Sequence, residues 1–226
     1  MDVKRKQFGV IGLGRFGSAM AATLAELGHD VIGVDGDQER VQQSADVITQ
    51  AIQLDATDAK ALRAAGIQDV DVAVVSIGEN IESSLLVVMQ LRELGIENIV
   101  AKAVTPLHGR ILERLGVTRV IFPEREMAVR IAHSLAMPNV LDYIELSRDY
   151  SIIELPASEA FIGRTLKQLE LRPRYGITLI AIKRPGGPLG AVTTNIAPGA
   201  DEVIQPGDVL ALLGSNERLS QLDRLV

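Results

Sequence analysis

From residue 7 to about residue 122, short apolar runs rich in Val and Ile alternate with longer stretches whose apolar residues recur every three or four positions. The first pattern is that of buried strands and the second that of helices lying on them. Strands are predicted at Phe8–Ile11, Val31–Val34, Gln50–Leu54, Val72–Ile77, Ile99–Lys102 and Val120–Phe122. Gly28, Gly66, Gly95 and Gly116 each follow a helical period, where a residue free to turn left-handed ends a helix. Asp37, Asp58 and Thr105 suit N-cap positions, and Pro106 suits a first helical position. Six strands joined by five helical crossovers make an α/β fold, a Rossmann-like doubly wound parallel sheet.

The pattern changes after Phe122. Pro123-Glu124-Arg125-Glu126 leads into an apolar-periodic helix through Met127, Ile131 and Leu135, ending near Pro138 and Asn139, which reads as a connector. From Tyr143 onward short strands with turn punctuation follow: Ile152–Leu155, Ile177–Lys183, a turn at Pro185-Gly186-Gly187-Pro188, another at Pro206-Gly207-Asp208, then Val209–Leu213 and a last helix through Leu219, Leu222 and Leu225. The expected division is a nucleotide-binding domain with its connecting helix at 1–142 and a smaller α+β lobe at 143–226. No low-complexity segment or short repeat is present, and the two parts do not resemble each other.

Composition narrows the function. With 226 residues, 47% of them apolar and 23% charged, the chain has the material for real cores and argues against disorder. Aromatic residues make up only 3% and the net charge is −6, so base stacking and phosphate-backbone binding are poorly served, and no nucleic-acid partner is expected. The basic run Lys4-Arg5-Lys6 reads as a solvated tail. The absence of cysteine excludes disulfides, thiolate metal sites and cysteine nucleophiles, and is compatible with a cytosolic location. No signal-peptide core follows the basic run, and no apolar stretch approaches the roughly 18 residues of a membrane span.

Candidate chemistry begins at the first strand. Phe8-Gly-Val-Ile11 runs into Gly12-Leu13-Gly14-Arg15-Phe16-Gly17, and Asp35 closes the second strand eighteen positions after Gly17. Gly12 permits the tight turn, Gly14 lets backbone N–H groups approach a phosphate, and Gly17 lets the helix sit close on the strand. The positive end of the helix beginning near Arg15 offers an anion site, and Asp35 can accept hydrogen bonds from ribose hydroxyls. An adenine nucleotide is therefore the expected ligand. Other ligand groups should come from the carboxyl ends of neighbouring strands: Asp35 to Asp37, Asp55-Ala56-Thr57, Ser76-Ile77-Gly78 and Lys102-Ala103. A guanidinium at Arg15 would add a bidentate phosphate donor, which a charge-dense triphosphate uses and a hydride carrier does not need; a solvent-facing arginine is the equally simple alternative.

A catalytic constellation is hard to find. His29, His108 and His133 lie far apart in the sequence and each reads as a surface or core residue, while the pairs Asp35/Asp37 and Glu124/Glu126 read as helix-start charges. The second lobe therefore reads as a sensor or assembly module rather than as a substrate domain.

The motifs Gln7–Gly17, Val34-Asp35, Asp55–Thr57, Ser76–Gly78, Ala101–Ala103 and Pro123–Met127 together resemble the RCK (regulator of potassium conductance) family, in particular the KtrA/TrkA-type cytosolic subunits of bacterial potassium uptake systems. Ile162–Leu166, Tyr175–Ile182 and Gln205–Leu210 resemble the C-terminal RCK lobe, so the likeness covers nearly the whole chain. It implies a homodimer assembling to an octameric ring, cytoplasmic and peripheral to the inner face of the membrane through a potassium-translocating subunit of the KtrB/TrkH kind. ATP would activate and ADP would favour the inactive ring. By position, Asp35 would hold the ribose, Asp37 and Arg40 would lie near the nucleoside, and Asp55, Ala56 and Thr57 would border the adenine. Gly12, Gly14, Phe16, Gly17, Ile77 and Gly78 would line the phosphates, Lys102 would face the anion, and Arg15 would reach the γ-phosphate, that of the neighbouring subunit. Glu124 matches an acidic position that holds a divalent cation, Mg or Ca, near that phosphate at the dimer interface. In some relatives the C-terminal lobe takes cyclic di-AMP between subunits.

One departure is Gly36-Asp37 after Asp35, where relatives often carry an apolar residue and then Asn; the added acid argues against the 2′-phosphate of NADP. ATP against NAD stays open. The alternatives are a small NAD-dependent oxidoreductase or NADH redox sensor, and a free-standing second-messenger receptor that uses mainly the C-terminal lobe.

Overall fold

The computed structural model describes residues 4–78, 80–137, 139–186 and 191–222. The chain forms two compact units, Met1–Pro123 and Glu124–Val226.

In the first unit, β1 (Gln7–Ile11), β2 (Asp30–Asp35), β3 (Gln50–Gln53), β4 (Val72–Val75), β5 (Ile99–Lys102) and β6 (Arg119–Ile121) form one sheet in the order β3-β2-β1-β4-β5-β6. Every pairing is parallel, with Ile11 opposite Val34 on one side and Val75 on the other. The crossovers carry α1 (Arg15–Glu26), α2 (Gln38–Ser44), α3 (Ala59–Ala64), α4 (Ile81–Glu93) and α5 (Pro106–Arg114). Side chains alternate across the strands, so Val10, Val31 and Val74 pack with Ala21 of α1, while Ile11, Val34 and Val75 pack with Leu62, Val88 and Leu112 of α3, α4 and α5. Both faces of the sheet are thereby covered, which is why its strands read as continuous apolar runs.

Helix boundaries follow the expected signals. Asp37 accepts from the N–H groups of Glu39 and Arg40, Asp58 from that of Lys60, and Thr105 from that of His108, with Pro106 opening α5. Gly28, Gly66, Gly95 and Gly116 all have left-handed φ. β4 stops at Val75, two residues short of the expected Ile77; the Ser76 N–H still donates to the Ile11 carbonyl, and its hydroxyl bonds the glycine loop.

In the second unit, α6 (Pro123–Ala136) precedes β7 (Asp142–Ser147) and β8 (Tyr150–Pro156). Two short helices, α7 (Leu166–Leu169) and α8 (Leu171–Tyr175), lead to β9 (Thr178–Pro185), β10 (Val192–Ile196), β11 (Val209–Ser215) and α9 (Asn216–Leu222). The strands form an antiparallel sheet in the order β10-β9-β11-β8-β7, over a core that includes Tyr143, Ile153, Leu155, Ile177, Ile182, Leu210 and Leu212. The helix α6 thus falls in the second unit, whereas the sequence pattern attached it to the first as a connector; Arg130 of α6 pairs with Asp142 of β7, and Ser134 donates to the carbonyl of Val140. Of the expected glycine-proline turn, Pro185 closes β9 and Gly186 is left-handed, while 187–190 lie outside the described residues, as does Leu225 of the last helix.

Candidate functional site

Strand order reverses between β1 and β4, and the crevice at the carboxyl ends of these strands is where open α/β sheets take ligands. The glycine loop sits there, tied on both sides. The Gly12 N–H donates to the Val34 carbonyl at 2.8 Å, and the Gly12 carbonyl accepts from the Ser76 hydroxyl at 2.6 Å. Gly12 holds φ +94, which a side chain would strain. Gly17 is required by space instead: a Cβ there would lie 1.8 Å from the Gly12 carbonyl oxygen and 2.4 Å from Ser76 Oγ. Gly14 is the N-cap of α1 and offers no side chain to its orphan N–H groups, and the first turn of α1 carries no acid. The positive end of this helix is therefore left for an anion. Arg15 and Phe16 are its first two residues, Arg15 exposed and Phe16 half-buried.

Asp35 ends β2 beneath this loop. Its Oδ2 accepts the Leu13 N–H at 2.7 Å and its Oδ1 the Asp37 N–H at 2.9 Å, with Arg40 Nη1 at 3.7 Å from Oδ2. Each carboxylate oxygen has a further acceptor position, so the group that fixes the loop can still receive ribose hydroxyls. Asp37 caps α2 and stands 3.8 Å from Arg40 Nε, and the Arg40 guanidinium comes within 4.0 Å of where a Cβ on Gly14 would be. At the end of β3, Asp55 Oδ1 accepts from both the N–H and the hydroxyl of Thr57, at 2.9 and 2.7 Å. Those two donors hold the Asp55 carboxyl below the usual carboxylate range. Ala56 sits between them.

On the other flank, Ile77 and Gly78 follow β4, and Lys102 ends β5. Lys102 Nζ lies 6.0 Å from the centroid of the Phe16 ring and 3.2 Å from where a Cβ on Gly78 would stand. The first unit thus gathers all the expected nucleotide residues along the carboxyl edge of β3, β2, β1, β4 and β5. Glu124 is in the second unit, in the first turn of α6 with Glu126, where acids suit the helix dipole. Among the described residues no group of three or more His, Asp or Glu is placed to hold a metal ion.

The histidines take structural positions. His108 is 1% exposed, its Nδ1 accepts the Val104 N–H at 3.4 Å, and burial pushes its pKa down. His29 Nδ1 faces the Lys6 N–H, and His133 stacks on Tyr143 at 4.3 Å between ring centroids.

Two site features lay beyond the sequence reading. The bond from Leu13 N–H to Asp35 uses a backbone donor, which no residue letter announces. Gly33, inside a Val-rich strand, makes room for the buried Leu13 side chain, since a Cβ there would fall 2.9 Å from Leu13 Cδ2 and 2.6 Å from Ile48 Cδ1. A lone glycine within a strand is the signal that marks such a close approach.

Among the described residues no helix is long and apolar enough to cross a membrane. The TrkA-N domain model matches residues 8–123 and the TrkA-C domain model residues 150–226. Ktr system potassium uptake protein C of Bacillus subtilis is 39% identical over 222 residues, covering 98% of each chain. Ktr system potassium uptake protein A of the same organism is 38% identical over 221 residues, covering 98% of this chain and 97% of that one. Among solved structures, the GsuK channel aligns over 100% of this chain with a TM-score of 0.67 at 20% identity, a likeness of fold. This chain spans 40% of that channel chain. With both units matched in order and the relatives covered nearly end to end, the chain belongs to the RCK family, among the TrkA-N/TrkA-C proteins of Ktr and Trk potassium uptake systems.

Proposed function

We propose that this protein is the nucleotide-responsive regulatory subunit of a potassium uptake system, binding ATP and ADP in the crevice at the ends of β1 and β4 and performing no covalent chemistry. The observation that carries the reading is the whole-chain likeness to Ktr potassium uptake proteins, which extends through the glycine loop and Asp35 into the second unit. The uncapped N-terminus of α1 would take the phosphates, Asp35 the ribose, and Asp55 to Thr57 the edge of the base. Arg15 would reach the terminal phosphate of a ligand held by a second copy, and Glu124 would hold a divalent cation there. The site residues, the cation, the octameric ring and a cytoplasmic position beneath the membrane subunit are parts of the same proposal.

The mechanism is a population shift. A nucleotide moves the ring between two states only by its preference between them, and a tenfold preference at one site is worth about 1.4 kcal/mol. Many sites in one ring add such preferences. NADH competes as a ligand on physical grounds, since Asp35 suits its ribose equally, and a solved structure of the GsuK channel is bound to NAD.

The test is potassium uptake by proteoliposomes that carry the cognate membrane subunit with this protein bound. Flux that rises with ATP and falls with ADP supports the proposal. Flux indifferent to both, or turnover of NADH by the purified chain, overturns it.

A further inference from the structure

Glycines outside the left-handed region need another reason for being glycine, and Gly78 is one. A Cβ at this position would meet Lys102 Nζ at 3.2 Å, Lys102 Cε at 3.4 Å and Val104 Cγ1 at 3.6 Å. The missing side chain is a slot, and the end of Lys102 fills it. The ammonium also stands over the ring of Phe16, 6.0 Å from its centroid, within the range of a cation–π contact. Phe16 belongs to the first turn of α1, so the cation is held beside the helix end that awaits an anion.

Strand order gives this placement its meaning. Asp35, the glycine loop, Gly78 and Lys102 follow the ends of β2, β1, β4 and β5, which are consecutive neighbours in the sheet. Three strand spacings of about 4.8 Å separate Asp35 from Lys102, so these two groups stand roughly 14 Å apart along the edge, on opposite flanks of the loop. A ligand whose ribose is held at Asp35 and whose first phosphates lie on the α1 N-terminus brings its far end toward Lys102. In a nucleoside triphosphate that end is charge-dense phosphate. In NADH it is an uncharged nicotinamide riboside.

We propose that Lys102 is the specificity-determining residue of this site, reading terminal phosphate, with Gly78 and Phe16 as the residues that position its ammonium. The inference rests on the nucleotide reading above and decides what that reading leaves open, the choice between ATP and NADH.

The experiment is calorimetric titration of the full chain, wild type and the variants Lys102→Met, Lys102→Arg and Gly78→Ala, with ATP, ADP and NADH. Lys102→Met should weaken ATP tenfold or more, ADP less, and NADH by under twofold. Gly78→Ala should give the same order of losses with the lysine still present, and Lys102→Arg should keep ATP within about threefold. Should Lys102→Met fail to fold, Gly78→Ala reads the same shift in selectivity. Equal losses for all three ligands, or none, overturn the assignment of Lys102. Wild-type protein that binds none of the three overturns the nucleotide reading itself.

Discussion

Asp35 does two things at once, and its substitution should show both. It holds the glycine loop through the Leu13 N–H and its neutral replacement, Asp35→Asn, keeps only one good acceptor oxygen. A hydrogen bond to a charged group is worth about 1.5–3 kcal/mol, so the variant should lose about 2 kcal/mol of stability in urea melts and at least tenfold in affinity for ATP. Gly17→Ala should fail for a different reason, because its methyl would enter the space of the Gly12 carbonyl. Overpacking of this kind costs about 1–3 kcal/mol, to be read as a lower melting temperature with loss of nucleotide binding. His108 adds a pH dependence. Its pKa is lowered by burial, so the unfolded chain binds the proton first; stability is full above the unfolded value of about 6.5 and falls as pH drops below it. Melting curves between pH 7.5 and 5 should show that loss in the wild type and a flatter profile in His108→Gln. The glycines and Asp35 were legible because a positive φ, a close approach and a carboxylate each demand a residue type. The packing of Lys102 between elements was not, since Phe16 of α1 and Gly78 after β4, expected only as residues lining the phosphates, are far from it in sequence.

At the scale of elements, the first unit was readable almost strand for strand, because parallel strands buried on both faces leave unbroken apolar runs and four of the five crossover helices, all but α2, are followed by a left-handed glycine. The second unit hid more. β7 escaped notice because its connection to β8 is Arg148-Asp149, with no glycine or proline to mark a hairpin, and all of β10 is exposed, so it has no apolar alternation. The helices α7 and α8 are four and five residues long, too short to show a period. An ion-pair network holds β9 to the segment that leads into β11. Asp208, fully buried before β11, takes two bonds from Arg184 of β9 at 2.8 and 2.9 Å and one from the Gln205 N–H, while Arg184 also reaches Glu202. Asp208→Ala would leave the guanidinium only Glu202 and the Val203 carbonyl, at a cost of about 3 kcal/mol to the second unit, measurable by denaturant melts. The Arg184 guanidinium holds the Asp208 carboxyl below its ordinary range. This contribution is therefore complete above the unfolded carboxylate value of about 3.9 and is lost as pH falls below it. The variant should show a correspondingly weaker acid dependence.

For the whole molecule, assembly and ligand response are the matters to test. Met127, Ile131 and Leu135 recur every four residues along α6 and are 50%, 50% and 79% exposed in the single chain. Such a stripe is the surface a homodimer needs. Ile131→Asp should lower the mass found by light scattering while leaving the thermal stability of the separate chain nearly unchanged. The regulatory account stands or falls more directly on binding. The decisive measurement is calorimetric titration of the purified full chain with ATP, ADP and NADH, each with and without magnesium, with cyclic di-AMP as a further titrant. Saturable ATP binding that magnesium strengthens, that differs from ADP and that Asp35→Asn weakens at least tenfold is the predicted result. Absence of any adenine nucleotide binding, or binding that Asp35→Asn leaves intact, would contradict the account.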